Sequence, residues 1–293
     1  MESQPILKPS EESLQKFFTD EAQNYQPKPE DIFITIKSGL QQRLIFSKPQ
    51  VLTEKEEQEL QGLRDLINSK GNQIPPGFDN DSRLVLRFLQ GMKFNYEETE
   101  QALNDNYKWK TEIFPINPSP FENYLQTGLL YAFKRDKGHR PIIIINVERL
   151  IASKIDEKNL VDMSNYFLDF LINECMYPSK IENWTVIVDL NNVGLTQIPK
   201  NLLQSMISSM QSNYRGRMYR LFAINLHWLL RGLWSIAKNG VDQFTLTKMQ
   251  LFGGDFKNSV VQVINENSLE EKYGGKLPDK TSNFFPPDLL NNY

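Results

Sequence analysis

The stretch LLYAFKRDKGHRPIIIINV, residues 129–147, determines the fold class of this chain. Two apolar runs flank a polar, turn-like segment that contains Gly138, and this pattern is typical of a β-hairpin. The four isoleucines at 142–145 show no polar alternation, so we expect both faces of their strand to be buried. The stretch therefore predicts a strand inside a sheet that is covered on both sides.

Strands and helices alternate after this hairpin. Helices are predicted over about 157–176, 200–213 and 255–265. The strands predicted around these helices are WTVIVDL, YRLFAIN and TKMQLF. Such alternation indicates an α/β sheet with helical crossover connections, built on residues 120–275.

A small helical module is predicted upstream, over residues 53–114. Thr53 and Glu56 have the spacing of a capping box, and Asn95 is a candidate N-cap for a helix that stops before Pro115. Residues 1–52 mix prolines, charges and short apolar runs, which predicts an extension draped on the body. Residues 279–293 are left as a C-terminal tail.

The composition excludes several classes of partner. The chain has 33 Lys and Arg against 36 Asp and Glu, a net charge of -3, so no general basic field exists to attract nucleic acid. Cys175 is the only cysteine, which rules out intrachain disulfides and fits a reducing compartment. The start has no signal-peptide pattern and no apolar run is long enough to cross a bilayer. We expect a cytoplasmic protein that touches membranes transiently and from one side.

Catalytic motifs are absent from the sequence. The two histidines, His139 and His227, belong to no paired motif, and no nucleophile elbow, Walker loop or dinucleotide fingerprint is present. Asp189 ends a predicted strand, where a catalytic acid could lie, but it has no visible base or nucleophile as a partner. We therefore expect a protein that is not an enzyme and that needs no cofactor and no metal.

Five stretches in order carry a family resemblance, and together they span about residues 55–278: LVLRFLQGMKFNYEETEQALNDNYKWK, RDKGHRPIIIINV, WTVIVDLNNVGL, NYRGRMYRLFAIN and LEEKYGGKLP. With them the chain resembles the CRAL-TRIO family of lipid-binding and lipid-transfer proteins. The resemblance implies an α/β fold in which the N-terminal helical module precedes a lipid-binding domain, residues 120–278. That domain would hold a hydrophobic lipid pocket and a gating helix.

The resemblance also implies where this pocket lies. One face of the sheet would form its wall, with candidate residues Ile143, Ile145, Trp184, Val186, Val188, Phe222 and Ile224. Residues 228–242 would form the gate, with Leu229, Leu230, Leu233, Ile236 and Gly240 as candidates. The leucines and Ile236 fall on one helical stripe, and Gly240 follows the helix as a flexible break. A 16-carbon ligand hides roughly 13 kcal/mol of apolar surface, at about 0.8 kcal/mol per methylene, so a pocket needs such a cover.

The headgroup positions of the resembled family are largely changed here. Where phosphatidylinositol binders carry two basic residues, a Glu and a Thr, this chain has Met92, Lys248, Gly216 and Thr245, so two of the four are lost. The phosphatidylcholine positions carry Ala132, Ile143, Trp184 and Val186, and of the basic and polar contacts only Arg217 remains. A charged headgroup would be stranded against such an apolar wall. We therefore predict a less polar ligand, such as a sterol, isoprenoid, fatty acid or retinoid-like molecule.

The predicted function is non-enzymatic binding of a single hydrophobic or lipid ligand and its transfer between membranes, with peripheral docking. Arg217, Thr245 and Lys248 are the candidate headgroup or membrane contacts, and Lys248 could join nearby arginines in a basic patch. The alternative is a lipid-independent interaction or scaffold module whose pocket is closed. In that case Trp184 would fill the cavity and residues 1–52 would dock a protein partner.

Overall fold

The N-terminal region contains short helices and a small two-stranded sheet. The computed structural model describes residues 8–35, 39, 41–81, 83–194, 197, 208–227 and 243–290. Its first elements are α1 (Glu11–Phe17), α2 (Asp20–Asn24), α3 (Pro29–Ile32), β1 (Phe33–Thr35) and β2 (Gln41–Arg43). The two strands pair antiparallel, so the described part of the N-terminal region carries regular structure of its own.

The helical module follows, with α4 (Glu54–Ser69), α5 (Leu84–Gly91) and α6 (Tyr96–Ile113). The predicted capping box is present: the Glu56 amide donates to Thr53 Oγ1 at 3.2 Å, and the Thr53 amide donates to Glu56 Oε2 at 2.8 Å. Asn95 caps α6 by accepting from the Glu98 amide at 3.1 Å. The apolar stripes of the three helices meet in one core: Leu60, Leu63, Ile67, Val85, Phe88, Leu89 and Leu103.

A five-stranded sheet forms the centre of the next region, in the order β3-β4-β5-β6-β7. Its strands are β3 (Leu130–Arg135), β4 (Pro141–Asn146), β5 (Trp184–Asp189), β6 (Met218–Ile224) and β7 (Met249–Leu251). β3 and β4 form the predicted antiparallel hairpin, and β4 to β7 run parallel. The helices around them are α7 (Glu122–Leu125), α8 (Val147–Ser153), α9 (Glu157–Phe170) with a π-helical turn (Leu171–Cys175), α10 (Gln243–Thr247) and α11 (Lys257–Val263). The α/β prediction is confirmed.

The sheet has two buried faces, which explains the isoleucine run. Ile143 belongs to the core on the side of α9, which we call the first face, with Phe167 and Leu171 of the helix and its π-helical turn. Ile142 and Ile144 belong to the core on the side of α11, which we call the second face. Because successive side chains of a strand alternate, consecutive isoleucines pack against opposite layers.

The described part of the predicted extension is built into the body. Phe17 and Phe18 are 3% exposed and belong to the core of the first face. Leu44, Ile45 and Phe46 are at most 2% exposed. The tail is equally integrated, because the chain beyond residue 279 supplies Phe284 to the second-face core and Leu289 to the first-face core. The described residues around Phe17 and around Leu44–Phe46 are therefore part of the folded core and are not merely draped over it.

One contact of this N-terminal region makes stability depend on pH. The His139 ring lies in the hairpin turn at φ 58°, half-buried, 4.8 Å from the ring of Tyr25. Burial and the nearby Arg135 lower the pKa of His139, with Arg140 adding to this and Asp136 and Glu21 opposing it. As the pH falls below the ordinary histidine pKa of about 6.5, the unfolded chain takes up a proton that the folded chain resists. The free energy of unfolding therefore decreases as the pH falls from about 6.5 to the lowered pKa of His139 in the folded protein.

We expect the His139→Asn variant to lose part of this pH dependence, since Asn tolerates the left-handed backbone and does not titrate. The measurement is the difference in thermal midpoint between about pH 7.5 and about pH 5.5, compared with the parent protein. The difference should be smaller in the variant. An equal difference in both proteins would show that His139 does not contribute.

Candidate functional site

Five of the seven candidate pocket residues share the first face of the sheet. Ile143 pairs with Val186, and Ile145 pairs with Val188, across β4 and β5. Trp184 belongs to the same side at the start of β5. These residues come together because they occupy alternate positions of adjacent parallel strands.

The structure corrects the remaining two candidates. Phe222 and Ile224 lie on the second face, in the core that contains Val260 of α11. The register of β6 instead places Leu221 beside Val186 and Ala223 beside Val188. A shift by one residue moves a side chain to the opposite face, and the sequence of a strand buried on both sides does not indicate which parity faces which layer.

Apolar surface remains accessible at one corner of the first face. Ile143, Trp184 and Val186 are at most 4% exposed. In contrast, five apolar side chains are only partly buried. They lie toward the carboxyl ends of β4 and β5 and on the neighbouring β6 and β7: Ile145, Val188, Leu221, Met249 and Leu251. Met249 pairs with Leu221, and Leu251 with Ala223, so this set is continuous across four strands. We call these five residues the apolar corner.

Aromatic side chains fill the opposite half of the first face. The ring of Trp184 lies 6.2 Å from that of Tyr214, which in turn lies 5.9 Å from that of Trp109 on α6. The Tyr214 hydroxyl donates to Asn165 Oδ1 at 3.1 Å, and burial raises the pKa of this tyrosine. Trp184 and Tyr214 are therefore both buried in this half of the face.

The position of the lost headgroup acid is filled from the N-terminal region. Gly216 has φ +67°, and a Cβ added there would lie 3.2 Å from Arg87 Nη1 and 3.4 Å from the ring of Phe46. Arg87 stacks on that ring, with the guanidinium carbon 4.2 Å from the ring centroid. A glutamate at Gly216 would therefore need both neighbours to move.

Arg217, a candidate headgroup contact, is partly buried and contacts other parts of the chain. Its Nη1 donates to the backbone carbonyl of Glu182 at 3.1 Å and lies 3.7 Å from Met176 Sδ. Burial, together with the positive charge of Arg87, lowers the pKa of Arg217 to about 9. The described contacts of the Arg217 guanidinium are thus with other residues of this chain.

Neither of the other two candidate contacts, Lys248 and Thr245, is an exposed residue. Lys248 is 3% exposed, so it cannot contribute to an exposed basic patch in this conformation. Thr245 lies on α10 and is partly buried. Met92, where the resembled family has a basic residue, directly follows α5.

Glu182 is an important residue that the sequence analysis missed. Its carboxylate accepts from the amides of Phe46 at 3.0 Å, Ser47 at 2.9 Å and Ser179 at 2.8 Å, and it pairs with Arg87 of α5. Burial acts to raise its pKa, but the charges of Arg87 and Arg217 and the backbone donors hold it below its ordinary value. The signal for Glu182 in the sequence was a charged residue two positions before a strand that is predicted to be buried. Glu182 joins the N-terminal region, the helical module and the sheet.

The candidate gate residues, Leu229, Leu230, Leu233, Ile236 and Gly240, lie outside the described residues. The chain just before them is anchored: Asn225, at φ 57°, donates through Nδ2 to Asp189 Oδ1 at 2.8 Å. Asp189 also accepts from the Asn191 amide at 3.0 Å and from the Tyr273 hydroxyl at 3.3 Å. These three bonds support a structural interpretation of Asp189.

In the part of the chain that the structure describes, no three or more His, Cys, Asp or Glu side chains are grouped so that they could hold a metal ion. None of the helices there combines the length and the apolar character needed to span a bilayer.

Sequence comparison identifies relatives of this chain. The family model described as CRAL/TRIO domain matches residues 125–275. Phosphatidylinositol/phosphatidylcholine transfer protein SFH12 of Arabidopsis thaliana is 25% identical over 224 residues, which cover 70% of this chain and 41% of that protein. SEC14 cytosolic factor of Yarrowia lipolytica is 24% identical over 250 residues, which cover 79% of this chain and 50% of that protein. The chain thus spans half or less of the length of these two relatives.

A solved structure has a similar fold. The crystal structure of Sfh5 superposes with a TM-score of 0.59 at 16% sequence identity, covering 83% of this chain and 94% of that one. At this identity the similarity concerns the fold alone.

Proposed function

Because this chain belongs to the CRAL/TRIO family, we propose that it binds a single apolar lipid and transfers it between membranes without catalysing a reaction. The name of SFH12 describes it as a phosphatidylinositol/phosphatidylcholine transfer protein, which supports lipid transfer as the activity. The observation that carries the proposal is the apolar corner, where a sheet face that is otherwise buried keeps accessible apolar side chains.

The apolar corner favours a ligand because its partly buried apolar side chains would gain free energy from further burial. Each square ångström that a bound lipid removes from water contributes about 25 cal/mol, so even a few hundred Å² stabilise a complex by several kcal/mol. Contiguous apolar patches of this kind mark binding sites more often than ordinary surface. The predicted gate, residues 228–242, would cover such a ligand and release it at a membrane surface to which the protein docks peripherally.

The ligand that fits best has little or no charged headgroup. Two places that would hold a headgroup in the resembled family are filled, one by the ring of Trp184 and the other by Phe46 and Arg87 next to Gly216. Burying a charged group against these walls without partners would cost several kcal/mol. We therefore favour a sterol, isoprenoid, fatty acid or retinoid-like molecule.

The alternative function, a lipid-independent interaction module, has one observation in its favour and one against it. In its favour, the Trp184 side chain is 2% exposed and its ring packs against that of Tyr214, as a side chain that fills a cavity would. However, the region that would dock a partner is packed into the body, with Phe17, Phe18 and Phe46 buried. A partner would have to bind the outer side of this region, so the carrier function is the better supported one.

Native mass spectrometry of the full chain tests the proposal, before and after extraction with organic solvent. We expect one additional mass per protein chain, lost on extraction and identified as an apolar lipid in the extract. A protein without any bound lipid, which also fails to move a fluorescent fatty acid between vesicles, would contradict the carrier function. Stoichiometric phosphatidylcholine would leave the carrier function intact but contradict the ligand class.

A further inference from the structure

A polar cleft lies at the carboxyl edge of the parallel strands. Its volume is about 460 Å³, and the ends of three successive strands contribute Asn146, Asp189 and Asn225. The remaining lining residues are also polar: Glu148, Arg149, Asn191, Lys272, Asp279, Lys280 and Thr281. This volume lies within the range of small-molecule sites, and the carboxyl edge of parallel strands is where open α/β sheets commonly bind ligands.

The acidic groups of the cleft are already engaged. Asp189 accepts three hydrogen bonds, from Asn225, Asn191 and Tyr273. Asp279 Oδ1 accepts from the Lys272 amide at 3.1 Å, and Glu148 Oε1 accepts from Asn192 Nδ2 at 3.2 Å. A cation in the cleft would therefore have to compete with bonds that support the surrounding loops.

The basic groups retain unused hydrogen-bond donors. Arg149 donates one hydrogen bond within the described residues, from Nη1 to the Thr127 carbonyl at 3.0 Å, of the five that a guanidinium can make. The Lys280 side chain is 10% exposed, and the nearest acid to its ammonium, Asp288, is 3.9 Å away, which is too far for a hydrogen bond. Lys272 adds a third positive charge, paired with Glu270 at 2.8 Å. Arg149 and Lys280 thus retain donors that no described acceptor takes up.

We propose that this cleft binds a phosphate group carried by a hydroxyl-rich small molecule. Lysine and arginine donors match phosphate oxygens. The amide side chains of Asn146, Asn191 and Asn225 can both donate to and accept from hydroxyl groups. The lining residues that the structure describes are all polar, which fits a polyol and does not fit a lipid chain. The phosphorylated polyol reaches the cleft either as a free molecule or as the headgroup of a membrane lipid.

Thr281 offers a test that removes no contact. Its side chain is exposed and makes no hydrogen bond within the described part of the chain. Thr281→Glu places a negative charge at the cleft, and Thr281→Gln is the matched neutral control. Isothermal titration calorimetry of the full chain with inositol trisphosphate should give saturable binding. A carboxylate within several ångströms of a multivalent anion should weaken that binding at least about tenfold, whereas Thr281→Gln should remain within about twofold of the parent.

The second arm uses vesicles of phosphatidylcholine with or without phosphatidylinositol bisphosphate, measured by co-sedimentation. If Thr281→Glu loses binding to the vesicles and Thr281→Gln does not, the source of the phosphorylated polyol is a membrane lipid. If Thr281→Glu weakens binding only in calorimetry, the source is the free molecule. The thermal midpoints of both variants should match that of the parent, because neither loses a contact. The proposal is overturned if the parent binds neither probe, or if Thr281→Glu binds both as the parent does.

Discussion

The Glu182→Gln variant is expected to lose about 3 to 5 kcal/mol of its free energy of unfolding. In the parent, one buried carboxylate accepts three backbone amides and pairs with Arg87. The glutamine side chain of the variant keeps one acceptor oxygen. Its NH₂ group, however, faces backbone amides that are themselves donors and loses the hydrogen bonds that the second carboxylate oxygen accepted. The variant also leaves the buried Arg87 and the partly buried Arg217 without their shared counter-charge, which is the most costly part of the change.

Urea denaturation near neutral pH measures this loss, with Glu112→Gln as the matched control. Glu112 is an exposed residue of α6 whose pair with Lys108 is 3.8 Å long, so its loss should change the free energy of unfolding by less than about 0.5 kcal/mol. A loss below about 1 kcal/mol in Glu182→Gln would show that the contacts of the N-terminal region do not depend on this charge.

The Val188→Trp variant is expected to fold normally and to lose its co-purified ligand almost entirely. Val188 belongs to the apolar corner and is only partly buried, so an indole at this position has accessible space to enter. If that space is the lipid cavity, the indole takes the place of the ligand, and the fraction of protein with bound lipid should fall at least about tenfold. Native mass spectrometry measures the occupancy, and a thermal unfolding scan measures the fold.

Val186→Trp is the control, two residues away on the same strand and face. Val186 is 4% exposed among filled neighbours, so a larger side chain has no space and should destabilise the protein by about 1 to 3 kcal/mol. Unchanged lipid occupancy in a folded Val188→Trp protein would show that the ligand lies elsewhere. Equal destabilisation in both variants would show that the apolar corner is ordinary core.

Local sequence signals were sufficient for the helical module and for the strands of the five-stranded sheet. The Thr53–Glu56 capping box, the Asn95 cap and the hairpin around Gly138 are all present in the structure. These features involve neighbouring residues or a repeat along one element, so their energetics are contained in short stretches of chain. The same holds for the alternation of strands and helices from which the α/β class follows.

The candidate site was only partly predictable, for two physical reasons. The face that Phe222 and Ile224 occupy depends on the register of β6 against β5, and both faces of these strands are apolar. The burial of Lys248 depends on what packs over it from other parts of the chain. Neither is encoded in the residue types of one segment.

The sequence by itself determined the fold class, the order of elements and the apolar character of the first face. Only the tertiary structure decided how that face is divided, with Trp184 in solid core and Val188 in the apolar corner. It also decided that Phe46 and Arg87 occupy the space beside Gly216, although Phe46 is separated from Gly216 by most of the chain. The reason is that periodicity and capping act over a few residues, whereas the space around a side chain is set by contacts between segments that are distant in sequence.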